Sequence, residues 1–262
     1  MHIVVLVKPV PDPAAGGERL GPDGRLDRRA TPAVVNANDE YALEAALKLV
    51  TAHGGEVTIV SMAPPTAPET MRKALAMGAQ RGVLITDDAL PGACTLSTAR
   101  VLAGALKDLE FDLVLAGADT SDGGSGVVAP GVAALLGLPY LSYAARIEPS
   151  PDAGTVRVHR IAPAGFEVLE APMPALVVCT QALGEPRYPS LKGIMAARSR
   201  ELTTRGLADT GVPAAEAGGQ AATTAVVGSA APPPRPPTRV IRGSADEAAR
   251  DVVDFLAQRR VI

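Results

Sequence analysis

The 262 residues are 47% hydrophobic but only 3% aromatic, with no tryptophan, and the formal net charge is −3. A chain of this length can bury a large aliphatic core, in one domain or in one domain with an arm. The negative charge argues against a general polyanion-binding protein, and the scarcity of aromatic rings argues against modules that stack nucleic-acid bases. We therefore expect no nucleic-acid partner.

The N-terminal residues lead directly into a strand-like block, without the pattern of a signal peptide. No apolar run reaches the roughly 20 residues that a membrane span needs. The sequence thus predicts a cytoplasmic protein without direct membrane insertion. Cys94 and Cys179 stand far apart and form no CxxC motif. We expect two buried, inert thiols, and neither a metal site nor a disulfide.

Strand and helix patterns alternate over the first 137 residues. An apolar run at 3–7 predicts a buried strand, and the charged, glycine-containing residues 9–35 predict a long excursion with a hairpin at Asp23-Gly24. Asn38 is expected to cap the first helix, and Thr66 with Glu69 to form a capping box at the second. Further strands are predicted at 57–62, 83–85 and 113–116, and helices at 39–53, 66–77, 96–109 and 127–136.

From residue 140 the pattern changes to four β segments without intervening helices, at 140–147, 156–161, 166–169 and 176–178. These predict antiparallel additions at the sheet edge and one more core strand. The alternating first part predicts parallel strands joined by right-handed crossovers. The fold class is therefore α/β: a mostly parallel, Rossmann-like sheet flanked by helices, with antiparallel edge additions and a C-terminal arm.

Composition divides the chain into three parts. Residues 1–202 form the predicted α/β domain, and 203–243, rich in Ala, Gly, Thr and Pro, form a predicted extended linker. Residues 244–262 recover a helical pattern that Ser244 can cap. This arm could pack on another subunit, dock on its own domain or fray.

Three loops should converge beyond the carboxyl ends of the parallel strands, where such sheets bind ligands. They are residues 8–12, 35–39 and 117–126. Gly123, Gly124 and Gly126 allow backbone N–H groups to approach an anion, Ser125 adds a hydroxyl, and a helix N-terminus follows. The pattern fits a phosphate site and a plain glycine-rich turn about equally well.

The sequence offers no catalytic group beside these loops. The three histidines lie outside them, and the Ser125 segment lacks the spacing of a nucleophile elbow. Asp119 and Asp122 fit loop and capping roles better than an acid–base pair. A phosphate site without catalytic machinery indicates a binding or carrier protein, with no catalytic and no metal-binding residues.

Residues 184–200 combine a stiff stem with an amphipathic stretch. Pro186 and Pro189 favour extended backbone before a helical pattern. Its apolar face is Leu191, Ile194 and Met195, and its basic rim is Lys192, Arg198 and Arg200. On the pattern alone, a helix packed on the chain's own core is favoured over a helix that docks on an acidic protein surface.

Five short segments occur in order along the chain: VKPVPD at 7–12, NANDEYALE at 36–44, RKALAMGA at 72–79, SDG at 121–123 and EPRYPSLKGIMAA at 185–197. Together they resemble the β subunit of an electron transfer flavoprotein. The last segment is the most specific. The similarity runs from the first strand to about Val212, and more weakly to the C-terminal helix.

The resemblance implies an αβ heterodimer in which redox FAD lies mainly on the α subunit and the β subunit buries a structural AMP. It implies that the C-terminal arm packs on the α subunit. With Gly117 of the third loop, the expected cofactor-binding residues are Leu6, Asn36, Asp39, Met62, Gly117, Asp122, Gly123, Gly124, Ser125, Gly126 and Val127.

The resemblance also makes residues 184–200 a recognition loop whose Leu191 enters a pocket on partner dehydrogenases. Electrons would then pass from acyl-CoA or related dehydrogenases towards a membrane quinone reductase. The expected partner-binding residues are Tyr188, Leu191, Ile194, Met195, Arg198 and Arg200.

Two alternatives stay open: a bifurcating relative with a second FAD in the nucleotide site, and a stand-alone nucleotide-binding enzyme or sensor. The sequence departs from the family's usual residues at Pro9, Pro13, Ala37, Val127, Gly184 and Ser199.

Overall fold

A computed structural model describes residues 1–16, 19–230, 232–235, 237–238 and 240–262. It contains two compact units, 1–227 and 228–262. Parts of two predicted segments lie outside the described residues: Gly17 and Glu18 in the excursion, and Ala231, Pro236 and Arg239 in the linker.

Strands of the first unit form a nine-stranded sheet in the described part of the chain, with the order β11-β5-β4-β1-β6-β10-β7-β8-β9. The six strands from β11 to β10 and their neighbour β7 pair in parallel, and β7, β8 and β9 pair antiparallel. β2 and β3 pair separately. The strands are β1 (His2–Leu6), β2 (Pro9–Pro11), β3 (Ala33–Val35), β4 (Glu56–Met62), β5 (Arg81–Ile85), β6 (Leu113–Gly117), β7 (Tyr140–Ser150), β8 (Thr155–Ala162), β9 (Gly165–Pro172), β10 (Ala175–Cys179) and β11 (Glu201–Arg205).

Helices cover both faces of this sheet. One buried aliphatic cluster joins the sheet to α1, α2 and α5, and a second joins it to α3 and α4. The predicted class is therefore confirmed: a mostly parallel α/β sheet flanked by helices. The helices are α1 (Ala37–His53), α2 (Pro68–Met77), α3 (Thr95–Lys107), α4 (Val128–Leu136), α5 (Leu191–Ala197) and α6 (Ala245–Gln258).

Two predicted helix caps are wrong. α1 has Asn36 at its N-cap position, without a side-chain capping bond, and the side chain of Asn38 binds Asp119. α2 begins at Pro68 with Ala67 as its N-cap and has no side-chain capping bond, so Thr66 and Glu69 form no capping box. Proline suits the first helical turn because that N–H has no intrahelical acceptor, and here it determines the start of the helix.

The antiparallel edge and the extra core strand are as predicted. β7, β8 and β9 extend one edge of the sheet, and β10 lies fully buried between β6 and β7. The two ends of the predicted excursion pair with each other as β2 and β3. Between them, a β-bridge joins Leu20 and Leu26, on either side of the turn predicted at Asp23-Gly24.

Several residues beyond 200, where the composition predicted a linker from 203, belong to the sheet or to the core of the first unit. β11 pairs with β5 over its whole length, so the predicted boundary at 202 falls inside a strand. Leu207 and Ala217 are buried in the cluster that contains α3 and α4.

The second unit carries α6. Ser244 caps this helix, as predicted, and Glu247 completes a capping box by accepting from the Ser244 N–H. Arg259 stacks 4.8 Å from the centre of the Phe255 ring. No helix among the described residues has both the length and the apolarity to cross a membrane.

Candidate functional site

A cavity of about 360 Å³ opens beyond the carboxyl ends of β1, β4 and β6. From β1 the chain builds the sheet towards β4 and β5 in one direction, and towards β6 and β10 in the other. This reversal is the topological switch point at which doubly wound sheets bind their ligands. Leu6, Met62 and Gly117, all predicted as cofactor-binding, line the cavity from the three strand ends.

Asp39, in the first turn of α1, lies at the base of the cavity and is buried. Its Oδ2 accepts a 2.8 Å hydrogen bond from the Lys8 N–H. A Cβ at Gly117 would stand 2.5 Å from Asp39 Oδ1, so only glycine allows this strand end to approach the carboxyl. Burial raises the pKa of Asp39 to about 7, although hydrogen bonds from Lys8, Asn36 and Gly117 oppose the shift.

Asn36 holds the glycine-rich loop in place beside the cavity. Its side chain is buried, its Nδ2 donates to the Asp119 carbonyl at 2.8 Å, and its Oδ1 accepts from the Ser121 N–H at 3.2 Å. These two bonds attach the residues before α1 to the glycine-rich loop. Asn36 therefore positions the loop and does not itself line the cavity.

The Thr120 carbonyl organises the turn of the glycine-rich loop. The N–H groups of Gly123 and Gly124 donate to the Thr120 carbonyl at 3.3 and 2.7 Å, so both are committed within the loop. Ser125 and Gly126 face the cavity, and α4 begins two residues later. Because the first N–H groups of a helix lack intrahelical acceptors, the donors left for an anion lie at Ser125, Gly126 and the first turn of α4.

Asp122 holds two cations at the rim of the cavity. Its side chain is only 1% exposed; Oδ1 lies 2.8 Å from Lys8 Nζ and Oδ2 lies 2.5 Å from Arg28 Nε. Burial by itself would raise the pKa of Asp122, but the bonds to Lys8 and Arg28 outweigh it and keep the pKa below its usual value. Asp122 therefore carries a negative charge near neutral pH.

Cys94 departs from the expected buried, inert thiol. It is only partly buried, caps α3 and lines the cavity. Hydrogen bonds from backbone N–H groups, foremost that of Ser97, lower the pKa of its thiol to about 6. Cys179 is buried as expected, and burial with the nearby Asp39 charge raises the pKa of its thiol.

The structure thus brings seven of the predicted cofactor-binding residues to the cavity wall: Leu6, Asp39, Met62, Gly117, Gly123, Ser125 and Gly126. The other four, Asn36, Asp122, Gly124 and Val127, are neighbours that build the loop, the ion pairs or the start of α4. Sequence analysis missed Arg28 and Cys94. A helix start at Thr95 could have drawn attention to Cys94, but nothing local indicated Arg28.

A second candidate site is the exposed face of α5, together with Tyr188 in the stem before it. Tyr188 is 95% exposed, Leu191 78% and Met195 58%, and Ile194 is exposed as well. Such a run of apolar side chains on one short helix is far from typical of a core-packed stripe. The interpretation that this face packs on the chain's own core is wrong.

Close packing on α2 holds α5 in place. The Ser190 hydroxyl caps the helix by accepting from the Gly193 N–H at 3.0 Å. A Cβ at Gly193 would stand 2.4 Å from the Ala76 carbonyl oxygen, so glycine permits the two helices to approach. Ala197 is the buried residue of α5. The helix thus rests on its small residues and presents its large ones outward.

Arg187 fastens the stem of this helix to α1. Its Nε and Nη2 donate to the two carboxylate oxygens of Glu44 at 2.6 and 3.1 Å, and its backbone N–H donates to Glu44 at 3.2 Å. Glu44 is buried, while the Arg187 side chain is 43% exposed. Lys48 adds a donor to the Leu183 carbonyl.

Arg72 and Arg200 fasten the other end. Arg72 donates to the Ala197 and Arg200 carbonyls at 2.5 and 2.6 Å. Arg200 in turn donates to the Leu75 and Ala79 carbonyls at the end of α2, both at 2.5 Å. The guanidinium of Arg200 is therefore engaged inside the domain, whereas Arg198 is exposed.

The sheet topology, the cavity at its switch point and the outward-facing helix define a doubly wound α/β protein with a cavity at the usual ligand position and a separate apolar surface. The family model for the electron transfer flavoprotein domain matches residues 23–210.

Three curated relatives are similar over most of the chain. The electron transfer flavoprotein subunit beta of Clostridium acetobutylicum is 36% identical over the full length of both proteins. That of Mycobacterium leprae is 40% identical over 83% of each protein. The acryloyl-CoA reductase electron transfer subunit gamma of Anaerotignum propionicum is 34% identical over the full length of both.

The chain belongs to the electron transfer flavoprotein family, as a β subunit.

Proposed function

We propose that this chain is the β subunit of a heterodimeric electron carrier that accepts electrons from acyl-CoA or related dehydrogenases and passes them towards a membrane quinone reductase. The observation that carries the proposal is the outward apolar face of α5, held at both ends by arginines. A carrier needs a surface that engages partners repeatedly, and a rigid anchor loses little conformational entropy on docking. The similarity to an acryloyl-CoA reductase subunit supports a partner that oxidises or reduces a CoA ester.

The proposed contact surface consists of Tyr188, Leu191, Ile194 and Met195. Leu191 is its centre because it is the most exposed of the aliphatic side chains. Arg198 adds a positive charge beside them, which favours an acidic partner and accelerates encounter. Arg200 contributes indirectly, by holding the end of α2 on which α5 rests.

The cavity is proposed to hold AMP as a structural ligand, with redox FAD mainly on an α subunit. Its 360 Å³ lie near the lower end of the roughly 300–1,000 Å³ typical of ligand sites, which suits a nucleoside monophosphate. Apolar Leu6 and Met62 would contact the base, and Ser125, Gly126 and the α4 N-terminus would bind the phosphate. The C-terminal arm is proposed to pack on the α subunit, and the heterodimer to work in the cytoplasm.

One observation favours a second candidate, a bifurcating type with FAD in this site. A groove of about 1010 Å³ adjoins the cavity and shares Arg28, Gly92, Ala93 and Cys94 with it. A dinucleotide could place its AMP half in the cavity and its remainder in this groove. Arg28, which lines both spaces, is held in an ion pair with Asp122, which is why we favour AMP.

The test is reconstitution of the heterodimer with an acyl-CoA dehydrogenase and its substrate under anaerobic conditions. We expect bleaching of the heterodimer's flavin absorbance only when dehydrogenase, substrate and this chain are all present. The control omits this chain and keeps the α subunit. Flavin reduction at the same rate without this chain would contradict a role in electron transfer from the dehydrogenase.

A further inference from the structure

Lys8, Asp122 and Arg28, here called the latch, meet beside the glycine-rich loop, at the end of the cavity where the phosphate is proposed to bind. Each oxygen of the buried Asp122 carboxylate takes one cation: Lys8 Nζ at 2.8 Å and Arg28 Nε at 2.5 Å. The three residues come from different segments: Lys8 from the link between β1 and β2, Asp122 from the glycine-rich loop, and Arg28 from the excursion between β2 and β3. The Asp122–Arg28 pair therefore ties the excursion across the loop that faces the cavity.

The latch lies on the wall between two spaces. The inner cavity is lined by Lys8 and Arg28 next to Gly123 and Ser125. The outer groove is lined by Arg28 and Asp122, and also by Arg25. The volumes are about 360 and 1010 Å³. Arg28 and the short segment Gly92, Ala93 and Cys94 line both spaces, so a ligand longer than the inner cavity that uses the groove passes between them.

The charges of the latch favour a single phosphate group. Two cations and one carboxylate leave one positive charge beside the loop, and the α4 N-terminus adds positive potential. A monophosphate can be neutralised there while both ion pairs remain. A second phosphate would extend into the latch itself, where it meets the Asp122 carboxylate and competes for Arg28.

We propose that Arg28 determines which nucleotide this site accepts: its ion pair with Asp122 closes the phosphate end, so that a nucleoside monophosphate fits and a nucleoside diphosphate or dinucleotide is refused. This rests on the proposed nucleotide role of the cavity. Discrimination between ligands often depends on an interaction that is unfavourable for the wrong one. Here the Asp122 carboxylate, held by Arg28, would repel a second phosphate.

The experiment uses the αβ heterodimer equilibrated with radiolabelled AMP, which is then displaced by unlabelled AMP or by ADP. The two competitors differ by one phosphate, so the ratio of their displacement constants reports phosphate-chain selectivity. The variants are Arg28→Ala, which opens the latch, and Arg28→Lys, which keeps a cation. Arg29→Ala is the matched control, because Arg29 adjoins Arg28 and the groove but its side chain is 97% exposed and 3.9 Å from Asp27.

We expect the wild-type heterodimer and Arg29→Ala to prefer AMP, and Arg28→Ala to lose about tenfold of that preference, with Arg28→Lys between them. Equal weakening of AMP and ADP by Arg28→Ala would make Arg28 a plain phosphate ligand and overturn the latch. Identical ratios of the AMP and ADP displacement constants for Arg28→Ala and Arg29→Ala would also overturn the latch, but they would not contradict AMP binding in the cavity. A wild-type heterodimer that retains no labelled AMP would reject the proposed site and the latch together.

Discussion

Leu191→Ala is expected to slow electron transfer from the dehydrogenase about 30-fold, measured as kcat/KM for reduction of the heterodimer's flavin. The side chain is 78% exposed on a helix that is fixed at both ends, so truncation removes contact area without disturbing the fold. Anchor residues at the centre of an interface contribute about 2 kcal/mol or more, which corresponds to this factor. The FAD content and the melting temperature should not change.

Leu135→Ala is the matched control for this prediction. Leu135 is also an exposed leucine on a short helix, but it belongs to α4, which packs on the opposite face of the sheet from α5. It should leave the rate unchanged. If Leu191→Ala reacts as fast as the Leu135 variant with a dehydrogenase that serves the wild type, α5 is not the docking element.

Arg187→Met is expected to destabilise the protein by about 2 kcal/mol and to slow electron transfer as well. Breaking a fully buried ion pair costs about 3–5 kcal/mol, and the figure here is lower because Arg187 is 43% exposed and Lys48 stays 3.8 Å from Glu44. The loss has two parts: Glu44 keeps its buried charge with a weaker partner, and the stem of α5 loses its attachment to α1.

Urea unfolding measures the first part, and the reduction kinetics measure the second. Arg157→Met serves as the control, because Arg157 also binds a carboxylate through two nitrogens, at 3.0 and 2.8 Å from Glu170, but both side chains are about half exposed. A surface pair of this kind should cost less than about 1 kcal/mol. Equal destabilisation by the two variants would contradict an anchoring role for the Arg187–Glu44 pair.

The sheet was predictable because its strands are continuous aliphatic runs between glycines and helix patterns. Residues such as Ile3, Ile59 and Leu115 are completely buried, as strands covered on both faces require. β11 was missed because its sequence, Glu-Leu-Thr-Thr-Arg, has a single apolar residue and lies at the edge of the sheet. Its position follows from pairing with β5, which no local pattern reveals.

Helix starts were less predictable because neighbouring residues compete for the same role. Asn36 and Asn38 are both good caps, and the structure directs the side chains of both to the Asp119 segment, 83 and 81 residues away. Thr66 and Glu69 have the spacing of a capping box, but Pro68 begins the helix and shifts that register by one position. Such outcomes depend on tertiary contacts and on backbone geometry.

The parts of the candidate site that follow directly after strands were predictable. The ion pairs between residues far apart in the sequence were not. The glycine-rich loop and Asp39 follow from the α/β pattern, whereas Arg28 reaches Asp122 across 94 residues. The exposure of α5 also needed the structure. A periodic stripe of Leu191, Ile194 and Met195 is more typical of a core-packed helix than of a docking helix. The outward turn of this stripe depends on contacts with Glu44 and Arg72, which are distant in the sequence.

The nucleotide content of the heterodimer tests the central claim most directly. The αβ complex would be purified, denatured, and its released nucleotides identified and counted by chromatography and mass spectrometry. We predict one AMP and one FAD for each heterodimer, with no turnover of ATP by the complex. Two FAD and no AMP would contradict the monophosphate site and favour the bifurcating type. A β chain that purifies alone and hydrolyses ATP would contradict the role of electron-carrier subunit altogether.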